Sequence, residues 1–348
     1  MPFLKYSSRY WGTHAERELS DHARTLTLAL LDQYEDHVSA ISLLKQVTHP
    51  WYTGEIGASP LFSRLHCASF FGIVELVTTI LNAGGHKINQ RDCTGSTPLA
   101  WVARNGHVGA AKLLLGWEDI DPNRPGAYDR TPLGCAAVTG HEGVVKLLLE
   151  REDVDPNHRD VNDRTPLGCA ALNGHEGVVK LLLEREDVDP NCADKYEETP
   201  LGWAATKGHE GVVKLLLERE DVDPNRSDTY NRTPLACAAV DGHEGVVKLL
   251  LERQDVDPNR PGAYDRTPLG SAAVNGHEGV VKLLLGREDV DPILPDNQGV
   301  IPLSHATRRG HGGIVKLLQA QNSVESGDAQ PSHHCERPKP KLRPRTAN

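Results

Sequence analysis

Thr-Pro-Leu begins at residues 97, 131, 165, 199, 233 and 267, each copy 34 residues after the last (131 − 97 = 34). Ile301-Pro302-Leu303 continues the register, and one step back from Thr97 lies Ser63-Arg64-Leu65, a degenerate first copy. Gly-His recurs on the same period, from Gly106-His107 to Gly310-His311. The string GHEGVVKLLLEREDVDPN is identical at 140–157, 174–191 and 208–225, and the copy at 242–259 differs only by Gln254. A period of this length marks an array in which no unit can bury its apolar face alone and each stacks on its neighbours. The units run 63–96, 97–130, 131–164, 165–198, 199–232, 233–266, 267–300 and 301–321.

The unit 131–164 reads as two short helices and a loop. Thr131 is a good helix N-cap, and Pro132 occupies the first helical position, where no N–H is needed. Leu133, Ala136 and Ala137 share a face small enough for close helix approach, and Gly140-His141 ends the helix. A second helix starts near Glu142, whose carboxylate suits the positive helix end. Val144, Val145, Leu147, Leu148 and Leu149 make it apolar on most sides, as a helix sandwiched between neighbours must be. Pro156 stops the chain from continuing as helix and opens a loop through Arg164. The expected fold is all-α, a solenoid of about eight helix-turn-helix units with an N-terminal helical cap. At about 8–10 Å between packed helices, the array is on the order of 80 Å long.

These residues, T-P-L-x-x-A-A-x-x-G-H-x-x-V-V-K-L-L-L followed by a loop carrying Asp and Asn, resemble the ankyrin repeat. The resemblance implies a curved rod whose concave side, built from loop tips and first helices, binds proteins. Two departures stand out. Ala100, Gly134, Gly168, Gly202, Ala236, Gly270 and Ser304 replace the histidine that usually follows T-P-L. The period also exceeds the usual value of about 33 residues, with the extra residue in the Asp-Val-Asp-Pro-Asn loop.

Residues 1–62 lack the repeat. Thr13 with Glu16 resembles a capping box, and Leu19, Ala23, Leu26, Leu30, Tyr34, Val38 and Ile41 follow at helical spacing, which predicts one or two amphipathic helices covering the first unit. The string Phe3 to Ala15 resembles the segment preceding the repeats in filamentous-fungal NACHT–ankyrin proteins, counterparts of NOD-like receptors. That implies a sensing arm, although the chain has no G-x-x-x-x-G-K-[ST] phosphate loop. Residues 322–348 are Ser-, Pro- and charge-rich and are expected to be a disordered tail. Its Arg337 to Arg345 run is a candidate localisation signal.

Composition narrows the function. A net charge of −10 argues against nucleic-acid or anionic-membrane binding, since both need a basic face. No apolar run approaches the ~18 residues of a membrane span. Seven cysteines, an odd number, do not make a disulfide framework. The expected setting is cytoplasmic, with the nucleus open, and the chain is expected to be a monomer by itself. His141-Glu142-Gly143-Val144-Val145 lacks the second histidine of a zinc-protease helix. Asp153-x-Asp155-x-Asn157 lacks the glycine and glutamate that a calcium loop needs at its sixth and twelfth positions. Cys67, Cys135, Cys169 and Cys237 share one repeat position with Trp101, Trp203, Ser271 and His305, which reads as core. No activated nucleophile stands out. The expectation is a non-enzyme with no catalytic residue, metal or cofactor.

Comparing the copies with one another separates scaffold from variable positions. The second helices barely vary. Variation gathers at the ends of the first helices, at Arg104, Asn105, Thr139, Asn173, Lys207, Asp241, Asn275, Arg308 and Arg309, and at the loop tips, with Asn162 and Lys195 among them. Tyr128, Tyr196, Tyr230 and Tyr264 recur at one tip position, where each ring either meets a partner or packs on the next loop. Tyrosine gives large amphipathic contact at low entropic cost. The tip arginines Arg130, Arg164, Arg232 and Arg266 are expected to pair with Asp129, Asp163 or Asp265. The implied ligand is a protein or peptide. A constitutive scaffold, or the targeting arm of a larger enzyme or NTPase, remains as the alternative.

Overall fold

The computed structural model describes residues 63–327 apart from residue 86. The helical cap and linker assigned to 1–62, the stretch from Phe3 to Ala15 and the basic run at 337–345 lie outside the described residues. Sixteen α-helices form eight pairs, and no strand is present among the described residues. The first helices are Arg64–Phe71, Pro98–Asn105, Pro132–Thr139, Pro166–Asn173, Pro200–Lys207, Pro234–Asp241, Pro268–Asn275 and Pro302–Arg309. The second helices are Val74–Ala83, Val108–Leu115, Glu142–Leu149, Glu176–Leu183, Glu210–Leu217, Glu244–Leu251, Glu278–Leu285 and Gly312–Gly327. First helices pack on first helices and second on second, giving two stacked layers. The last helix continues to Gly327, past residue 321, so the stretch expected to be a disordered tail begins as helix.

Local chemistry sets each helix. The Thr97, Thr131, Thr165, Thr199, Thr233 and Thr267 hydroxyls each accept from the backbone N–H three residues on, at 3.1–3.2 Å. This satisfies one orphan donor of the first turn. In the last unit Ile301 takes this place and offers no side-chain cap. Val144, Val145 and Leu148 and their copies from Val178 to Leu284 are fully buried, each worth roughly 1.5–3 kcal/mol of transfer. Ala136 and Ala137 are equally buried in the first-helix layer.

Two polar staples tie each unit to the next. The histidine after each helix-ending glycine donates Nε2–H to a first-helix carbonyl 37 residues earlier, at 2.9–3.2 Å, from His107 on Phe70 to His311 on Val274. Its ring lies against the glycine one unit back. Gly208 has φ 72° in the left-handed region, and a Cβ there would stand 2.6 Å from His243 Nδ1. Gly310, with φ 77°, has nothing within 4 Å, since no eighth histidine of the series lies among the described residues.

The second staple is an asparagine ladder. Asn89, Asn123, Asn157, Asn191, Asn225 and Asn259 each donate Nδ2–H to a loop carbonyl in the next unit, at 2.5–2.6 Å. Each Oδ1 also accepts a backbone N–H two residues further on, at 2.8–3.3 Å. The ladder stops at Ile293, an exposed residue that occupies the next asparagine position. Asn191→Ala is expected to lower stability by about 1 kcal/mol through loss of both bonds. Ile293→Asn is expected to leave stability unchanged, because no loop follows to receive it. Urea melts of the two variants check this pair.

Candidate functional site

The loop tips are organised by an aspartate that the sequence reading overlooked. Asp92, Asp160, Asp194, Asp228 and Asp296 are buried. Each Oδ1 accepts backbone N–H groups two and four residues on, as Asp160 does from Asn162 and Arg164 at 2.8 and 3.2 Å. The other oxygen receives side chains. Trp101 Nε1 donates to Asp92 at 2.7 Å and Trp203 Nε1 to Asp194 at 3.0 Å. Burial alone would raise the Asp296 carboxyl, but the Val300 and Gln298 N–H groups, His305 and Arg266 hold it down at about 2.

This arrangement corrects the expected arginine pairing. Arg130, Arg164 and Arg266 reach the buried aspartate of the next tip, Asp160, Asp194 and Asp296, at 3.0, 3.0 and 3.3 Å. They do not pair with Asp129, Asp163 or Asp265, which hold left-handed backbone at φ 57°, 60° and 54° in the exposed turns. Arg232 has Gly262 ahead of it in place of an aspartate, and folds back onto its own Asp228 at 2.6 Å. Glu198 stands at the position that Arg130, Arg164, Arg232 and Arg266 hold in their tips. Burial first, then the Asp228 charge, pushes its carboxyl up to about 8, and it donates to Asp228.

Adjacent tips also share backbone bonds. Val161 N–H donates to Tyr128 O, Lys195 to Asn162 O and Thr229 to Tyr196 O at 3.0 Å, and Asn297 to Tyr264 O at 3.2 Å. No such bond precedes the tips at Gly126 and Gly262. Both of these glycines lie in the identical stretch Arg-Pro-Gly-Ala-Tyr-Asp-Arg, at 124–130 and 260–266.

Tyr128, Tyr196, Tyr230 and Tyr264 are 55%, 45%, 64% and 66% exposed. Each ring meets a cation of its own tip, Arg130, Lys195, Arg232 or Arg266, at 5.0–5.4 Å. No stacking contact joins one tip ring to another among the described residues. Tyr128 and Tyr264 hold left-handed backbone at φ 59° and 62°, a conformation that costs of order 1 kcal/mol for a non-glycine residue. Asn162 Oδ1 accepts from Lys195 Nζ at 2.6 Å, linking two tips.

The first-helix ends divide by role. Asn105 and Asn275 donate to Phe70 O and Val240 O of the preceding unit, both at 3.0 Å. Asn173 and Thr139 bond back within their own helices, to Cys169 O and Cys135 O. Lys207, Asp241, Arg308 and Arg309 are exposed. Arg104 is half-buried, its guanidinium 5.6 Å over the Trp101 ring. Arg104, Tyr128 and Thr139 are brought together around one depression, with Trp101, Arg130 and Cys135. The remaining positions occupy equivalent or adjacent repeat positions in other units.

The cysteine position is core in character. Cys169 and Cys237 are buried, and burial pushes the thiols of Cys67, Cys169 and Cys237 up to about 12 and that of Cys135 to about 11, so none is a thiolate at neutral pH. Glu198, Asp228 and Cys237 form the one potential metal-ligating cluster among the described residues. The Arg232 guanidinium already sits on Asp228 Oδ2, so a cation there would face a fixed positive charge. His333-His334-Cys335 lies outside the described residues. No described helix is long and apolar enough to cross a membrane.

Paired helices, most of them capped alike and stapled unit to unit, define a helical-repeat array. A family model for ankyrin repeats matches residues 65–160, 127–194, 167–262 and 255–329, and the chain belongs to the ankyrin-repeat family. No curated protein matches the chain. Ankyrin repeats mark it as a protein–protein interaction module. One departure from the family pattern now has a structural reading. His66 keeps the usual histidine, its Nε2 donating to Gln90 O at 2.9 Å. In the six units from Thr97 to Thr267 the Thr cap and, in most of them, the buried aspartate hold the loop.

Proposed function

We propose that the chain is a non-catalytic module that binds a protein or peptide along its concave face, through the tip tyrosines and the first-helix ends. The observation carrying this reading is the Tyr128, Tyr196, Tyr230 and Tyr264 series. Four large rings recur at one position, each about half exposed or more. Each is held against a cation of its own tip and not spent on the next loop. Exposed aromatics on a rigid frame are the usual anchors of an interface. Resemblance at Phe3 to Ala15 supports a more specific setting, the sensing arm of a NOD-like recognition system.

The test is a pull-down from native lysate, comparing wild type with the quadruple Tyr→Ala variant at 128, 196, 230 and 264. Circular dichroism checks that both are folded. A partner retained by wild type and lost, or weakened more than tenfold, with the variant is the expected result. Equal recovery by both proteins rejects the tyrosine row as the contact.

A further inference from the structure

The concave edge has a charge pattern opposite to that of the rest of the chain. The variable first-helix ends carry Arg104, Lys207, Arg308 and Arg309 against a single acid, Asp241, a local balance of +3 (4 − 1) in a chain of net charge −10. The outer loop Glu150-Arg151-Glu152-Asp153-Val154-Asp155 carries −3 (four acids, one base), and its copies at 184–189 and 218–223 repeat it. The four cations have none of the partners that occupy their neighbours. Arg130, Arg164, Arg232 and Arg266 are engaged with buried aspartates. Among the described residues, no carboxylate lies in ion-pair reach of Arg104, Lys207, Arg308 or Arg309.

Arg104 is the most developed of these positions. Its equivalents in the next five units are Val138, Leu172, Thr206, Val240 and Val274, and the charge returns at this repeat position at Arg308. The guanidinium lies over the Trp101 ring, 5.6 Å from its centroid. It borders the depression walled by Tyr128 and Thr139. A planar guanidinium at the rim of a depression matches a carboxylate entering from solvent, with two parallel N–H···O bonds.

We propose that this surface takes an extended acidic segment of a protein partner, with one Asp or Glu carboxylate seated at Arg104. The proposal rests on the concave-face reading above and adds the partner's chemistry. It also sets a spacing. Arg104, Lys207 and Arg308/Arg309 stand in the second, fifth and eighth units, three units apart each time. Three units at about 8–10 Å cover roughly 24–30 Å, which an extended chain at about 3.3 Å per residue spans in about seven to nine residues. The segment therefore carries acidic residues separated by about that number.

The test is a selection of random 20-residue displayed peptides against the full chain. It is run in parallel with Arg104→Glu/Lys207→Glu, with Arg104→Gln, and with the quadruple Tyr→Ala variant. The wild-type pool is expected to be enriched in Asp and Glu at that spacing. A selected peptide is expected to lose at least tenfold in affinity to Arg104→Gln, and the charge-reversed protein to select basic residues instead. Arg104→Gln removes the charge but keeps the first part of the aliphatic stem and a polar end, which guards against a packing defect. A neutral or basic wild-type pool, or an acidic pool indifferent to both Arg104 variants, overturns the proposal. If such a pool is still lost with the tyrosine variant, the concave-face reading stands and only the acidic partner falls. A pool indifferent to every variant, or no enrichment at all, rejects both.

Discussion

Gly208→Ala is expected to destabilise the array by about 3 kcal/mol or more, and Gly310→Ala by only about 1 kcal/mol. Both glycines end a first helix with nearly the same left-handed backbone, φ 72° and 77°. The conformational penalty of a Cβ, about 1–2 kcal/mol, is therefore common to the two. What differs is the neighbour. A methyl at 208 would meet His243 Nδ1, Cε1 and Cγ at 2.6–3.0 Å, whereas 310 opens on empty space. Since Cγ is one bond from the histidine's own Cβ, the ring has to swing, and its 3.0 Å bond to Thr206 O is lost with it. Overpacking of this kind adds about 1–3 kcal/mol. Urea melts followed by circular dichroism compare the two, with hydrogen exchange locating the damage at the junction of units 199–232 and 233–266. Equal losses would show that the histidine is no staple.

The second large effect concerns acidity. Glu198 holds its proton up to about pH 8 in the folded chain, against an ordinary value near 4.5. Between these values the folded state binds a proton that the unfolded state has released, so this contribution to stability falls as pH rises from about 4.5 to about 8 and is level beyond. Glu198→Gln keeps the shape and removes the titration. Its stability advantage over wild type is expected to be near zero below pH 4.5, to grow across that window, and to reach roughly 2 kcal/mol or more by pH 8. Thermal midpoints of both proteins at half-unit steps of pH measure the difference. Parallel curves would mean that Glu198 is not held between burial and Asp228.

Much of the fold was legible because each unit repeats its own local rules. Thr131-Pro132 announces a capped start and Gly140 a left-handed stop, and both act within a single helix. The staples were not legible in that way. His141 reads as a helix end, yet its partner is the Arg104 carbonyl 37 residues earlier, a distance that closes only when units stack. The same limit explains the arginine pairing. Asp129 and Asp163 are the near neighbours in sequence, but the turn directs them to solvent while stacking brings Asp160 and Asp194 within reach. The buried aspartate left a readable trace, its recurrence on the period broken only at Gly126 and Gly262. Glu198 left one too, as the lone acid at a position otherwise basic in the neighbouring tips.

The missing tip-to-tip bonds before Gly126 and Gly262 have a mechanical consequence. At both places the histidine and asparagine staples persist, so the outer side stays tied while the inner rim is unlaced. Bending is therefore expected at two joints, because the tips from 126 to 232 are tied in series by backbone bonds. The two joints stand four repeats apart (262 − 126 = 136, or 4 × 34), so flexing of the tip row is expected at two fixed places and not evenly along the array.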